Sequence, residues 1–366
     1  MISRYTLPSS ASNELQFGAE TTTMKKTERR VQTETLQGGS AQGVDLDESF
    51  VTEVSRAAIY LRDEWRPSQQ VSAHLGARAE YLTLKADYTP SELVRSFPQF
   101  APSAQLAWRP LAQHSFRFGV GRTFKIPGTR ELSPRRFIVT DNTPSNPDTR
   151  GNRYLEPESA LGIDIAYEQT AAASTSSMTI SARKISNVTL QTLGLEEGRY
   201  VLAPLNRGKA KVLSVDLGHA NQLQGIVSKD QSLQVKIALS RNWSLVDSIP
   251  GPDNRLADQI PLSATLGLEL RANSGGSNAG INYVYQGRRK SKLLDNRTFE
   301  AGEVQSLDLY LRRRLGRNAS ARLALTNALA PVRVSTLTYA GVEQQTQSRT
   351  RNKTAPTIRF QFEASL

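Results

Sequence analysis

Leu262-Ser-Ala-Thr-Leu-Gly-Leu-Glu-Leu-Arg271 is the stretch that decides the fold. Leu262, Ala264, Leu266, Leu268 and Leu270 fall on one side of an extended chain, and Ser263, Thr265, Gly267, Glu269 and Arg271 on the other. A helix would scatter these leucines around its circumference, so the period is two and the segment is a strand with one apolar and one polar face. The pattern recurs. Val71, Ala73, Leu75, Ala77, Ala79 and Tyr81 oppose Ser72, His74, Gly76, Arg78 and Glu80. Leu161, Ile163, Ile165 and Tyr167 oppose Asp164 and Glu168, and Leu233, Val235, Ile237 and Leu239 oppose Gln234, Lys236 and Ser240. Leu307, Leu309 and Leu311 oppose Asp308 and Arg312, while Ala321, Leu323 and Leu325 oppose Arg322 and Thr326. Weaker members lie near residues 14–24, 56–65, 99–109, 115–124, 178–190, 208–220 and 279–287, and a last one runs from Thr354 to Leu366. Residues 1–12 read as a lead-in.

The gaps between these segments alternate without a miss. Short gaps centre on Pro67, Pro110, Ala173, Gly225, Gly275 and Gly316, with turn residues such as NSGGSN (Asn273–Asn278). Long gaps fall near residues 25–53, 85–98, 126–158, 191–205, 244–259, 288–303 and 330–353. The ends of a soluble sandwich have no reason to keep that rule, whereas a barrel inserted into a membrane from one side does. The expectation is an all-β, antiparallel transmembrane β-barrel with about fourteen strands present. Its leucine-rich face meets lipid and its ionic face meets water. Trp65, Trp108 and Trp243 stand at strand ends, where interfacial girdles belong. Ile358, Phe360, Phe362, Ala364 and Leu366 make the last strand amphipathic, as closure against a first strand requires.

Composition narrows the chemistry. The 366 residues have no cysteine, which excludes disulfides and thiolate metal sites. Mean hydropathy is -0.44, and no stretch approaches the roughly 18 apolar residues of a membrane helix. The net charge is +12, but Lys and Arg are scattered among acids along the strands, so attraction to lipopolysaccharide phosphates or to an anionic ligand fits better than nucleic acid. His74 and His219 are assigned to polar faces and His114 follows a turn; none has a partner at ligand spacing, so neither a metal site nor a cofactor is expected. The same histidines lack the partners of a hydrolytic triad, so the chain does not read as an enzyme.

Six segments resemble, in order, the barrel of TonB-dependent outer-membrane receptors. RAAIYLRDEWRP (Arg56–Pro67) is similar to that family's Y-x-Q-D-E-W strand and turn, and LGARAEY (Leu75–Tyr81) to its G-x-R-x-(D/E)-x. GRTFKIPGTREL (Gly121–Leu132) resembles R-x-F-x-x-P-x-x-x-E-L, and GNRYLEPESALGIDIAYE (Gly151–Glu168) resembles G-N-x-x-L-x-P-E with its following strand, Ala166 and Tyr167 replacing the usual small residues. LNRGKAKVLSVDL (Leu205–Leu217) is similar to x-N-x-G-x-A-x-x-x-G-x-E-x with Ser214 and Asp216 at its last two positions, and TNAL (Thr326–Leu329) to x-N-L-(F/Y)-D without its acid. Leu366 stands where an aromatic residue is usual.

The resemblance implies a Gram-negative outer-membrane receptor and transporter. Such a protein has twenty-two strands around an N-terminal plug, a TonB box before the plug, and uptake of a bulky, scarce ligand, most often a ferric siderophore. It also implies TonB-complex coupling through a plug and signal peptide that this chain lacks, so the chain is expected to be a C-terminal fragment. A self-contained fourteen-strand channel or fatty-acid type transporter is the alternative. Arg130, Glu131, Arg135, Arg136, Arg288, Arg289 and Lys290 are the candidate external-loop ligand contacts. Arg122, Pro127, Glu131 and Leu132 are also candidates for shaping the outer end of a strand, and Glu158 for pairing with a basic neighbour. Arg78, Glu80, Lys236, Glu269, Arg271, Arg312 and Arg322 are the candidate interior charges, within a mixed-sign ladder of ion pairs.

Overall fold

The structure is a computed structural model that describes residues 2–10, 12–33, 45–88, 91–226, 228–272, 276–316, 318–342 and 345–364. Strands follow one another as β1 (Ile2–Ser10), β2 (Asn13–Thr33), β3 (Asp45–Trp65), β4 (Val71–Tyr88), β5 (Ser91–Leu111) and β6 (His114–Lys125). A helical turn, α1 (Thr129–Leu132), and two short strands, β7 (Arg136–Phe137) and β8 (Asp148–Arg150), come next. Then follow β9 (Glu158–Thr170), β10 (Ser174–Ser186), β11 (Thr189–Glu196), β12 (Arg199–Asn206), β13 (Lys209–Gln224), β14 (Gln231–Val246), β15 (Leu262–Ala272) and β16 (Ser277–Gln286). Last are β17 (Arg289–Lys292), β18 (Arg297–Ala301), β19 (Val304–Arg314), β20 (Ala319–Thr326), β21 (Val332–Ala340), β22 (Gln345–Lys353) and β23 (Thr357–Ala364).

Fifteen of these strands make one sheet in the order β1-β2-β3-β4-β5-β6-β9-β10-β13-β14-β15-β16-β19-β20-β23. Each is antiparallel to its neighbours, so the sheet is a meander broken only where loops carry their own strands. Every segment with period two lies in it. The segment expected as a lead-in adds a further strand, with Tyr5 opposite Phe17 and Leu7 opposite Leu15. Pro8 obscures that strand in the sequence, yet a proline is tolerated on an edge strand, where one side of the backbone has no ladder to complete. Among the described residues β1 and β23 remain the two edges and do not pair, so the sheet is open. Leu366, the middle of the long gap at residues 34–44 and the centre of the turn at 273–275 lie outside the described residues.

The register settles the faces. Leu268 stands opposite Val235 and Ile281, Ile281 opposite Leu309, Leu309 opposite Leu325, and Leu325 opposite Ile358. Directly opposed residues share a face, so this is one continuous apolar surface. No second layer covers it: Phe360 is 69% and Phe362 57% exposed, Leu266 is exposed, and Leu262 and Leu270 are half-buried. A soluble monomer does not leave an apolar face of this extent in water, whereas a membrane barrel presents it to lipid. Rings collect on this face at the turn end. Trp108 packs on Phe116 at 5.4 Å between centroids, Phe116 on Tyr167 at 4.9 Å, and the Tyr167 hydroxyl lies 2.9 Å from His114 Nδ1.

His219 belongs here too. It stands opposite Ile237 and Ser176, on the side of Leu213 and Leu217, with Nδ1 2.9 Å from Ser176 Oγ. Its assignment to a polar face is therefore corrected. The imidazole continues the leucine set at its boundary, where a ring with a polar tip is tolerated.

Two expected loops are largely strand. β4 runs to Tyr88 and β5 begins at Ser91, while β2 runs to Thr33 and β3 begins at Asp45. Backbone pairing continues beyond the apolar band, and once neither face meets lipid the alternation that marks a strand disappears. The buried core lies at this loop end, where Leu84, Ala86, Leu93 and Phe97 of the β4–β5 hairpin enclose Leu132 and Leu155 from the long 126–158 connection. Phe97 stands opposite Leu82 on the face that carries Glu80, so the connection packs against the polar side of the wall, across the mouth.

Candidate functional site at the loop end

Two four-stranded sheets rise above the wall, β11-β12-β8-β7 and β17-β18-β21-β22. The first is anchored by residues in the segments singled out by motif. Gly151 donates its N–H to Ser133 O at 2.7 Å and Asn152 to Glu131 O at 2.7 Å. A side chain at Gly151 would meet the carbonyl oxygens of Arg130, Glu131 and Ser133 at 2.4–2.6 Å, so only glycine lets the chain pass under α1. Asn206 joins three segments: its Nδ2 donates to Glu156 O (3.0 Å) and Asn187 O (2.9 Å), and its Oδ1 accepts from Glu156 N at 2.7 Å. Gly208 has φ +86° and a Cβ there would lie 2.3 Å from Asp247 Oδ1, so conformation and space both demand glycine. The GNRY and LNRG segments are thus structural couplings.

At the centre sits Asp148, 0% exposed. Its carboxylate accepts from Arg199 Nε (2.8 Å) and Nη2 (2.9 Å), from Arg136 Nε (3.0 Å) and from Val139 N (2.9 Å). The hydrogen bond from Arg199 outweighs the cost of burial and holds the Asp148 carboxyl down at about 2. Nearby, Arg150 Nη2 meets Glu196 Oε1 at 2.8 Å and lowers that carboxyl likewise. The two small sheets are linked by Arg297, which is buried and donates to Gln191 O at 2.7 Å, and by Asp295, which accepts from Leu193 N at 2.6 Å. Burial pushes the Arg297 guanidinium below its usual range, opposed by Asp295.

Beside α1 a cavity of about 320 Å³ is lined by Lys26, Glu28, Thr129, Arg130, Ser133, Arg135 and Phe137. Three of these are cationic; Lys26 is paired with Glu28, and the Arg130 guanidinium lies 5.1 Å from the centre of the Phe137 ring. A second cavity of about 360 Å³ shares this loop, with Pro134, Arg153, Tyr154 and Thr192 in its wall and the Thr192 hydroxyl buried without a partner.

The external candidates separate accordingly. Arg130 and Arg135 line the basic cavity, whereas Arg136 is held by Asp148 and Glu131 is spent on the turn, its Oε2 accepting from Gly128 N at 2.8 Å. Arg288 pairs with Glu300 at 2.6 Å and Lys290 with Asp253 at 3.3 Å, both at β17, which also carries Arg289. Glu158 accepts from Thr189 N at 2.7 Å, and among the described residues it forms no ion pair with a basic neighbour. Lys26, Phe137, Asp148, Arg199 and Arg297 were missed, since segments without periodicity give no sign of what they face.

The interior candidates all lie opposite the leucines. Arg78 bridges Glu20 (2.9 Å) and Glu80 (3.0 Å), and Arg56 reaches Glu80 at 3.2 Å. Arg271 pairs with Glu269 at 2.8 Å and Arg312 with Glu363 at 3.8 Å, while Arg322 lies over the Tyr310 ring at 4.9 Å. Lys236, opposite Gly267, is exposed.

An open antiparallel wall, apolar on its uncovered face, ionic on the other and roofed by loops at one end, defines a β-barrel protein of the Gram-negative outer membrane. Residues 3–328 match the family described as TonB dependent receptor-like, beta-barrel, and the chain belongs to that family. Solved structures agree on the fold. The siderophore receptor PiuA from Acinetobacter baumannii superposes with a TM-score of 0.70 at 12% identity, over 98% of this chain and 54% of its own. The ferric-catecholate import receptor Fiu from E. coli K12 gives 0.65 at 14%, over 88% and 48%, and the copper transporter OprC 0.66 at 14%, over 88% and 49%. The chain therefore spans about half the length of the structures it matches. No curated protein matches the sequence.

Proposed function

We propose that this chain forms the loop-bearing part of an outer-membrane receptor that imports a bulky anionic ligand, such as a ferric siderophore, by TonB-coupled transport. The basic cavity carries the reading: Lys26, Arg130 and Arg135 converge beside Phe137 at the loop end, where a ligand arriving from outside meets the protein first. Cations concentrate an anionic chelate at the mouth, and an aromatic face suits the catecholate or heteroaromatic arms that many iron chelates carry. Arg288, with Arg289 and Lys290 of β17, forms a second basic element of the rim. The ionic face of the wall, with Arg78, Glu80, Lys236, Glu269, Arg271, Arg312 and Arg322, lines the interior and holds the plug through which the TonB complex acts.

In this reading the chain works as part of a longer protein. Backbone groups cannot remain unpaired in lipid, so the free edges of β1 and β23 must be completed by further strands. The odd number of strands in the main sheet among the described residues also argues against a self-contained channel, because single-chain bacterial barrels have even counts.

The test is uptake by cells carrying the full-length receptor as their single route for iron chelates. Arg130→Gln with Arg135→Gln should raise the half-saturating chelate concentration at least tenfold at unchanged receptor level. Avid uptake of a sugar or a cobalamin with no chelate uptake by the unaltered receptor would overturn the assignment.

A further inference from the structure

We propose that the free edge of β22 docks an extended acidic polypeptide segment, which adds a fifth strand to the external sheet β17-β18-β21-β22. β22 ends that four-stranded sheet, and among the described residues no strand pairs with its far side. A row of its backbone N–H and C=O groups is therefore open to a further strand. Eight of its nine residues are exposed, and only Thr346 is half-buried.

This edge carries charge of one sign. β22 reads QTQSRTRNK, with Arg349, Arg351 and Lys353 two residues apart. Alternation puts all three on one face of the sheet, about 7 Å from one to the next. Thr336, Val334 and Val332 of β21 stand opposite them and bring no charge. One strand further, Glu300 lies opposite Thr336, but Arg288 at 2.6 Å and Lys290 at 3.7 Å already engage it. Among the described residues none of the three cations has an ion-pair partner. The opposite face of the sheet is turned to the protein: Arg297 and Ser291 are buried on it, and Tyr339 meets Tyr200 of the neighbouring sheet at 6.4 Å between ring centres. The cationic face looks outward, at the loop end.

The open backbone and the cations share one spacing. A strand laid on the edge pairs its N–H and C=O groups with those of β22 and turns alternate side chains to the cationic face. Glutamate or aspartate at every second position then falls beside Arg349, Arg351 and Lys353 as cross-strand pairs of opposite charge. Like charges in those positions are unfavourable, so the same ladder disfavours a second copy of β22 and selects an acidic partner. A small free anion would use the guanidinium groups and leave the backbone edge empty, whereas an acidic strand uses both. This inference rests on the outer-membrane location and is independent of which ligand the receptor imports.

The experiment uses the full-length receptor in mild detergent and a fluorescein-labelled peptide of alternating threonine and glutamate, with affinity read by fluorescence anisotropy. Arg349→Gln with Arg351→Gln should weaken binding roughly tenfold, about threefold for each cross-strand charge pair lost. Arg349→Glu with Arg351→Glu should lose this peptide and gain one that alternates threonine and lysine. Heat-modifiable gel mobility monitors folding in each variant. N-methylation of alternate peptide nitrogens should abolish binding in the phase that faces β22 and spare it in the other, because an added strand donates from every second residue to the edge it joins. A peptide of the same composition with its glutamates in one block should bind at least threefold more weakly. Unchanged affinity in folded R349Q/R351Q, failure of folded R349E/R351E to take the lysine peptide, equal binding of both methylated phases, equal binding of the block peptide, or no binding of the glutamate peptide by the unaltered receptor would each overturn the proposal.

Discussion

Replacing Asp148 with Asn should loosen the roof of the barrel without disturbing its wall. The carboxylate is fully buried and bound by two guanidinium groups and a backbone N–H. Its lowering from an ordinary 3.8 to about 2 corresponds to roughly 2 kcal/mol of preference for the charged form. Severing a buried ion pair on one side costs about 3–5 kcal/mol, because the partner charge stays buried. Here the partners keep other contacts: Arg136 keeps Glu197 at 3.4 Å and Arg199 keeps Val139 O at 2.6 Å. The expected loss is about 2–3 kcal/mol, which raises local opening of β7, β8 and β12 about 30- to 150-fold. Hydrogen exchange of the full-length receptor in its membrane reads this directly, as faster exchange in peptides covering 136–150 and 199–206 with unchanged exchange in β15 and β16. Acid should act the same way on the unaltered protein. The folded carboxyl titrates below the unfolded one, so its contribution is complete above about pH 3.8 and is lost as the pH falls from there through about 2. Exchange in D148N at the rate of the unaltered receptor, after correction for intrinsic rates, would refute the idea that Asp148 fastens the roof.

Three further outcomes are expected. Leu266→Arg, which puts a charge on the uncovered face, should destabilise the receptor by about 2–4 kcal/mol if the site lies near the bilayer midplane, and Lys236→Leu on the other face by much less; urea unfolding in lipid vesicles compares them. Gly208→Ala should lower the folded yield of receptor, because a left-handed φ and the side chains of Asp247 and Ser248 both oppose a methyl group, while Gly194→Ala, with nothing within 4 Å, should not; the folded fraction on unheated gels measures both. Arg297→Met should separate the two external sheets, so that a protease cleaves the 191–205 and 288–303 hairpins at least tenfold faster in intact cells.

The wall was legible because lipid on one side and water on the other impose a period of two on any strand between them. Leu262–Arg271 carries that period without interruption, and the strands found from it all lie in the fifteen-stranded sheet. Legibility failed where one of the two solvents was missing. In the outer halves of β2 and β3, Thr, Lys, Arg and Glu interrupt the apolar positions, so no regular alternation survives there. Ile2–Ser10 was hidden by Pro8, a residue rare inside strands, which falls where the pairing with β2 slips. In the roof, basic loop residues were visible but their partners were not. Arg130 and Arg135 reached the cavity as basic rim residues, yet Arg136, three residues after Ser133 and indistinguishable from Arg135 in sequence, turns inward to Asp148. Asp148 is also held by Arg199, through β8 lying parallel to β12, a contact between residues some fifty apart that no local pattern announces.

The account stands on the leucine side of the wall meeting lipid. The chain has no cysteine, so single cysteines can be placed at Leu266, Gly267, Leu268 and Glu269 and spin-labelled in the full-length receptor in bilayers. Labels at 266 and 268 should collide with oxygen and be shielded from a water-soluble nickel chelate, and labels at 267 and 269 should show the reverse. Labels at 266 and 268 shielded from both reagents would place the leucines in a dry protein interior and contradict the account.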